Sequence, residues 1–150
     1  MVLLEKSEIP ELRKNGAYFR CICALAEIEW CKELTIDQID DIWEYSKSVG
    51  FVENNQVTGP QFVYAAACDR LDIDSKSGLI VGVGKSGKSP AFFKSIMDTG
   101  NYLFHYTITT NVTGKKENAT ISRVDGKLLY NPQPNFKEGK IDRTELWRVF

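Results

Sequence analysis

The sequence predicts an α+β protein, with helices from its first half packed on an antiparallel sheet from its second half. Apolar residues recur at helical spacing up to about residue 71, whereas segments rich in β-branched and aromatic residues follow from residue 79. Glycines at positions 78, 82, 84 and 87 all follow the helical segments. Helices and strands separated along the chain are typical of α+β architecture. Because 150 residues suit one compact unit, we predict a single domain over residues 1–150.

The first predicted helix runs from Ala17 to Cys31. Its residues are apolar on nearly every face, which is the pattern of a helix buried in a core. Asn15 and Gly16 precede it and are suitable residues for a helix start.

Two further helices are predicted next, the first of them amphipathic. Thr35 and Gln38 have capping-box spacing, and the apolar residues that follow them recur at helical intervals until Gly50. The segment Thr58-Gly59-Pro60-Gln61 has the same spacing, with proline tolerated in the first turn. Phe62, Ala66 and Arg70 mark this third helix, which we predict to end near Leu71.

The second half predicts strands. The elements, in order, are a buried strand at 79–83, a short helix at 91–97, a β-rich segment at 101–110, and two strands at 119–124 and 127–130. The last two flank Asp125-Gly126, a strong hairpin signal. Asn131-Pro132 ends the second strand, because proline cannot donate to a β-ladder.

Composition excludes several classes of function. Nineteen Lys and Arg against twenty Asp and Glu give a net charge of −1 without a long run of either sign, so a nucleic-acid partner is not expected. No stretch approaches the roughly 18 apolar residues of a membrane span. The apolar run within residues 1–11 is too short for a signal peptide. We therefore expect a cytoplasmic protein without a membrane partner. The sequence does not predict an oligomeric state.

The cysteines do not form a recognisable metal or disulfide motif. They lie at 21, 23, 31 and 68 without a CxxC pair, and the only histidine, His105, is distant in sequence. We predict neither a metal site nor a cofactor. Cys21, Cys23, Cys31 and Cys68 are expected to be small buried hydrophobic residues.

His105 and Asn131 are candidates for acid–base chemistry. His105 falls in a predicted strand, on the same face as Thr107 and Thr109, and an imidazole held there suits a general base. Asn131 starts the turn after the hairpin strand and is a candidate to orient the imidazole. Each residue also has an ordinary structural interpretation: a surface or hydrogen-bonded histidine, and a turn-forming Asn-Pro step.

The segment from Asn15 to Arg20, NGAYFR, resembles the Gly-Cys-Tyr-Phe helix start of small phage-type papain-like cysteine peptidases. The resemblance implies a papain-like fold and cleavage of an amide or related acyl bond in a peptide or protein substrate. It places the nucleophile at position 17, the general base at His105 and the orienting residue at Asn131. It also implies oxyanion contacts from the Tyr18 backbone and from Glu11, although an ionised Glu cannot donate a hydrogen bond.

Ala17 departs from this family pattern because alanine has no nucleophilic atom. An introduced Cys-to-Ala change and a natural loss of catalysis both explain it. Cys21, one helical turn later, is an alternative nucleophile, although its mid-helix position is unfavourable. A papain-like binding module that grips its partner without cutting it is the alternative function.

A third hypothesis is nucleotide binding. Residues 82–89 match the phosphate-binding pattern GxxxxGK[ST] through Gly82, Gly87, Lys88 and Ser89. However, Pro90 follows at once, and the 61 residues after Ser89 are too few to complete a parallel nucleotide-binding sheet. A Gly/Lys/Ser loop between two elements is the favoured interpretation.

Overall fold

The computed structural model describes residues 1–74, 77–85, 106–137 and 139–149, with the side chains of 79–85 left outside the description. A short 3₁₀ helix, Leu4–Lys6, comes first. The α-helices are α1 (Pro10–Asn15), α2 (Ala17–Trp30), α3 (Ile36–Val49) and α4 (Pro60–Arg70). The strands are β1 (Val52–Glu53), β2 (Gln56–Val57), β3 (Gly78–Lys85), β4 (Tyr106–Thr113), β5 (Lys116–Arg123), β6 (Leu128–Tyr130) and β7 (Lys140–Val149).

The main sheet has five strands in the order β3-β7-β4-β5-β6, and each neighbouring pair is antiparallel. β1 and β2 form a separate small hairpin. Helix α2 packs against β4 and β5. The predicted arrangement, N-terminal helices on an antiparallel sheet from the C-terminal half, is confirmed.

Helix α2 is the central element of the core. It begins at Ala17, as predicted, and its residues 19–27 are all buried. The helix ends one residue earlier than predicted, because Cys31 has φ 52° and adopts the left-handed conformation of a C-cap. An apolar helix surrounded on all sides by the rest of the chain explains its lack of a polar face.

Helix α3 has the predicted ends. The Thr35 hydroxyl accepts from the Gln38 backbone N–H at 3.1 Å, and the Gln38 side chain accepts from the Thr35 N–H at 2.9 Å, which completes the capping box. Gly50 closes the helix at φ 85°, a conformation that side chains with a Cβ resist.

Helix α4 has a different start from the predicted one. Gly59 is the N-cap and supplies no side-chain hydrogen bond, so the predicted capping box at Thr58 is wrong. The Thr58 hydroxyl instead donates to the Gly50 carbonyl at 2.8 Å and ties the end of α3 to the β1–β2 hairpin. Phe62, on the first turn of α4, is 60% exposed.

Several elements of the second half follow the sequence pattern. β5 and β6 flank Asp125-Gly126, with Gly126 at φ 96°, and β6 ends at Tyr130 directly before Asn131. The predicted helix at 91–97 and the first part of the segment 101–110 lie outside the described residues. The elements α1, the β1–β2 hairpin and β7 were not predicted.

Strand β7 was missed because its pattern does not alternate. Residues 144–147 are consecutively buried, so both faces of the strand are covered there, although Thr144 and Glu145 are polar. β7 lies between β3 and β4 in the sheet. Trp147 is fully buried in it, and Trp43 is fully buried in α3, whereas Trp30 is only partly buried.

The cysteine prediction is confirmed at three positions and wrong at one. Cys21, Cys23 and Cys68 are buried, but Cys31 is exposed because it follows the last residue of α2 in a left-handed conformation. Among the described residues, no group of three His, Cys, Asp or Glu side chains is placed to hold a metal ion. No helix of the same residues is long and apolar enough to cross a membrane.

Candidate functional site

A cleft of about 680 Å³ opens beside the N-terminal end of α2. One wall comes from the helical half, through the ends of α1 and α2 and the β1–β2 hairpin. The other wall comes from the sheet, through the β4–β5 hairpin, the start of β7 and the loop after Asn131. Its lining includes Asn15, Tyr18, Gln56, Thr110, Lys116, Gln133, Phe136 and Arg143. Concave sites between two structural parts are the usual place for ligands.

The junction of α1 and α2 depends on Gly16. Its N–H donates to the Leu12 carbonyl at 2.8 Å and ends α1, and the next residue, Ala17, already begins α2. A Cβ at Gly16 would overlap both the side chain and the carbonyl of Leu12, so only glycine fits this close approach. Ala17 itself is 2% exposed, while Asn15 and Tyr18 on either side line the cleft.

A buried carboxylate, Glu145, contacts two side chains that line the cleft, Tyr18 and Arg143. The Tyr18 hydroxyl donates to Glu145 Oε1 at 2.5 Å, and Trp147 Nε1 donates to the same oxygen at 3.1 Å. The Arg143 guanidinium lies over the Tyr18 ring at 4.9 Å, with its Nε 3.6 Å from Glu145 Oε2. Burial, together with the Glu145 charge, holds the pKa of Tyr18 well above its ordinary value, so the phenol stays a donor.

Basic side chains predominate around the cleft. Among the residues that the structure describes, the lining contains five basic side chains, Arg13, Lys14, Lys115, Lys116 and Arg143, and two acidic ones, Glu117 and Asp142. This local excess of positive charge contrasts with the chain's net charge of −1. A surface that concentrates one sign of charge attracts ligands of the opposite sign.

The α2 thiols are not activated. Burial raises the pKa of Cys21 far above that of an ordinary thiol, and it raises the pKa of Cys23 to about 12. The nearby Arg20 cation opposes this shift without cancelling it. A thiolate is the reactive form of cysteine, so Cys21 is a poor replacement for a nucleophile at position 17.

Asn131 lies at the end of β6 and makes local contacts. Its Oδ1 accepts from Asn118 Nδ2 at 2.7 Å and from the Gln133 backbone N–H at 3.0 Å. The second contact is the pattern of an Asx turn, which fits the structural interpretation of the Asn-Pro step. The turn nevertheless brings Gln133 into the cleft lining, so the loop after Asn131 and the start of α2 share one cavity.

His105 lies outside the described residues, so the predicted imidazole is not placed. Tyr106, the next residue in the chain, opens β4 and donates its hydroxyl to Glu29 Oε2 at 2.6 Å. Glu29 is near the C-terminal end of α2, opposite to Ala17. Thr107 and Thr109, expected on a polar face, are both buried.

The two predicted oxyanion positions lie on the two helices that meet at Gly16. Glu11 is exposed in the first turn of α1, and Tyr18 is the second residue of α2. Backbone N–H groups in the first turn of a helix lack partners within that helix and favour an anion nearby.

The glycine-rich segment begins inside a strand. Gly82 and Gly84 belong to β3 and are paired antiparallel with Leu146 and Thr144 of β7. A phosphate-binding loop instead leaves a parallel strand and enters a helix. Gly87, Lys88 and Ser89 lie outside the described residues.

No protein-family model, curated protein or solved structure matches this chain. The resemblance to papain-like peptidases therefore rests on the sequence motifs alone.

Sequence reasoning missed the residues that give the cleft its chemistry, above all Arg143 and Glu145. Both belong to β7, which was not recognised as a strand. No local pattern marks Glu145 as a buried carboxylate, because its burial depends on contacts with distant residues such as Tyr18.

Proposed function

We propose that this chain is a papain-like scaffold that binds a peptide or protein segment in the cleft and, with Ala17 at the nucleophile position, does not cleave it. The observation that carries the proposal is the position of the cleft, between the helical half and the sheet and beside the start of α2. In a papain-like hydrolase the attacking thiol opens the central helix, and α2 begins at position 17.

The absence of a reactive thiol supports binding without cleavage. Ala17 has no nucleophilic atom, and Cys21 and Cys23 are buried with raised pKa values. Cys31 is exposed, but it follows the other end of α2. Acyl transfer through a thiolate is therefore not expected of the chain as it stands.

The second candidate is a binding module whose scaffold never held a nucleophile at position 17. The 2% exposure of Ala17 favours it, because a side chain this buried does not face the cleft. The substitution Ala17→Cys distinguishes the two candidates.

The test is alkylation of Ala17→Cys by iodoacetamide between about pH 5 and pH 9, followed by intact mass. Cys31→Ser is the background, since Cys31 is exposed, and Ser48→Cys on the exposed face of α3 supplies an ordinary thiol for comparison. Labelling below the usual thiol pKa that disappears in Ala17→Cys/His105→Ala supports the hydrolase scaffold. Labelling no faster than that of Ser48→Cys contradicts it and favours the second candidate.

A further inference from the structure

We infer that the cleft selects an acidic segment of its partner, with Arg143 as the anchor for a carboxylate. The inference rests on the proposed binding role of the cleft and specifies the chemistry of what it binds. The argument depends on how Arg143 is held and on which charges surround it.

Arg143 is held in place by its neighbours, but its hydrogen-bonding capacity is not fully satisfied by the described residues. Its guanidinium lies over the Tyr18 ring at 4.9 Å, and its Nε is 3.6 Å from Glu145 Oε2, too far for a hydrogen bond. Within the described part of the chain, this Nε is buried without a hydrogen-bond partner. The side chain retains 36% exposure and lines the cleft, so part of the guanidinium is available to a ligand.

Glu145 forms an ion pair with Arg143 through Oε2, at a distance too long for a hydrogen bond. One of its oxygens already accepts from Tyr18 and Trp147, which fixes the carboxylate against the sheet. The guanidinium is therefore positioned by its neighbours without a bidentate contact to them. A planar guanidinium in a fixed position is well suited to bind a carboxylate with two parallel hydrogen bonds.

The surrounding charges favour carboxylates spaced along a peptide over a single phosphate. Lys115 and Lys116 extend the positive surface onto the exposed end of the β4–β5 hairpin. Glu117 and Asp142 lie in the same lining and repel a concentrated dianion more strongly than separate single charges. The amide side chains of Asn15 and Gln133 add neutral donors suited to a peptide backbone.

The test measures binding of three fluorescein-labelled octapeptides, matched in length and rich in Glu, Gln or Lys, by fluorescence anisotropy. We expect the Glu peptide to bind most tightly and to weaken as salt is raised. Arg143→Gln is expected to weaken the Glu peptide about tenfold or more, and Arg143→Lys by less, since it keeps the charge but loses the planar fork. Arg70→Gln, an exposed arginine in a groove between α3 and α4, is the matched control and is expected to change nothing.

Lys115→Gln/Lys116→Gln keeps the test decisive if Arg143→Gln fails to fold, because both lysines are exposed at a hairpin. We expect this variant to retain its melting temperature, to bind the Glu peptide more weakly and to show a smaller salt dependence.

Equal affinity for the Glu and Gln peptides would overturn the acidic preference while leaving peptide binding intact. Binding of none of the three would contradict the proposed function itself. Displacement of the Glu peptide by inorganic phosphate at concentrations comparable to the peptide would overturn the carboxylate assignment.

Discussion

The Tyr18 hydroxyl and the Glu145 carboxylate, 127 residues apart in the chain, form a 2.5 Å hydrogen bond that joins the first turn of α2 to β7. The bond fixes the position of the helix start relative to the sheet, and the cleft lies at this junction. Because Arg143 packs on the same tyrosine ring, the contact also sets the orientation of the cleft's central cation.

Removing the Tyr18 hydroxyl should destabilise the protein. Tyr18→Phe leaves Glu145 Oε1 with Trp147 as its remaining donor, and loss of a hydrogen bond to a buried charged group costs about 1–3 kcal/mol. Urea denaturation measures the loss in the free energy of unfolding. Tyr45→Phe, at a tyrosine that is 45% exposed, is the control and should lie within about 0.5 kcal/mol of the parent. Equal stabilities for the two variants would show that the Tyr18 contact contributes nothing.

The Arg20–Glu27 ion pair should be more sensitive to substitution than any surface pair. Both side chains are fully buried, and Glu27 also accepts from the Leu34 N–H at 3.2 Å. Glu27→Gln leaves the guanidinium without a counter-charge, so we expect a loss of about 3–5 kcal/mol in the free energy of unfolding. Glu33→Gln removes the exposed partner of the N-terminal amine and should cost about 0–1 kcal/mol. Comparable losses in the free energy of unfolding from the two variants would contradict the expectation that the buried pair matters more.

The stability that buried tyrosines contribute should fall as the pH rises above about 10, where unfolded tyrosines ionise. Burial raises the pKa of Tyr130, whose hydroxyl donates to the Val2 carbonyl at 2.8 Å. The folded state keeps this proton after the unfolded state has lost it, so the contribution is complete below pH 10 and is lost at higher pH. The slope is about 1.4 kcal/mol per pH unit for one such group. Urea melts of the parent and Tyr130→Phe between pH 9 and 11.5 should show a shallower decline for the variant, while parallel declines would exclude Tyr130 as the cause.

One thiol should react in the folded protein. Cys31 is exposed, whereas Cys21, Cys23 and Cys68 are buried. Brief treatment with a maleimide should add a single label by intact mass under native conditions and four labels in guanidinium chloride. Cys31→Ser should remain unlabelled until it unfolds. A native label on any other cysteine would contradict the packing of the core.

The sequence predicted local features well because their causes are local. The capping box at Thr35 and Gln38, the left-handed glycine at position 50 and the Asp125-Gly126 hairpin each depend on residues within a few positions of one another. The start of α2 at Ala17 was predicted for the same reason. The Thr58 capping box failed because the hydroxyl finds the Gly50 carbonyl, a partner supplied by the packing of a neighbouring element.

The candidate site was predictable only in part. Asn15 and Tyr18, close to the predicted nucleophile position 17, line the cleft. The opposite wall includes Arg143, which comes from β7. This strand was not predicted, because four consecutive residues of it are buried and its burial does not alternate as in a typical surface strand. The register that brings Arg143 and Glu145 beside β4 depends on pairing with Thr110 and Ile108 more than thirty residues earlier in the chain.

By itself, the sequence determined the division into helices and sheet, the start of α2 and both ends of α3, because hydrophobic patterning and short-range hydrogen bonding fix these features. Only the tertiary structure decided that β7 lies inside the sheet, that Glu145 is buried against Tyr18, and that basic side chains from both halves surround one cleft. Burial and charge environment arise from contacts between residues far apart in sequence, and no local pattern encodes which distant partner a side chain will meet.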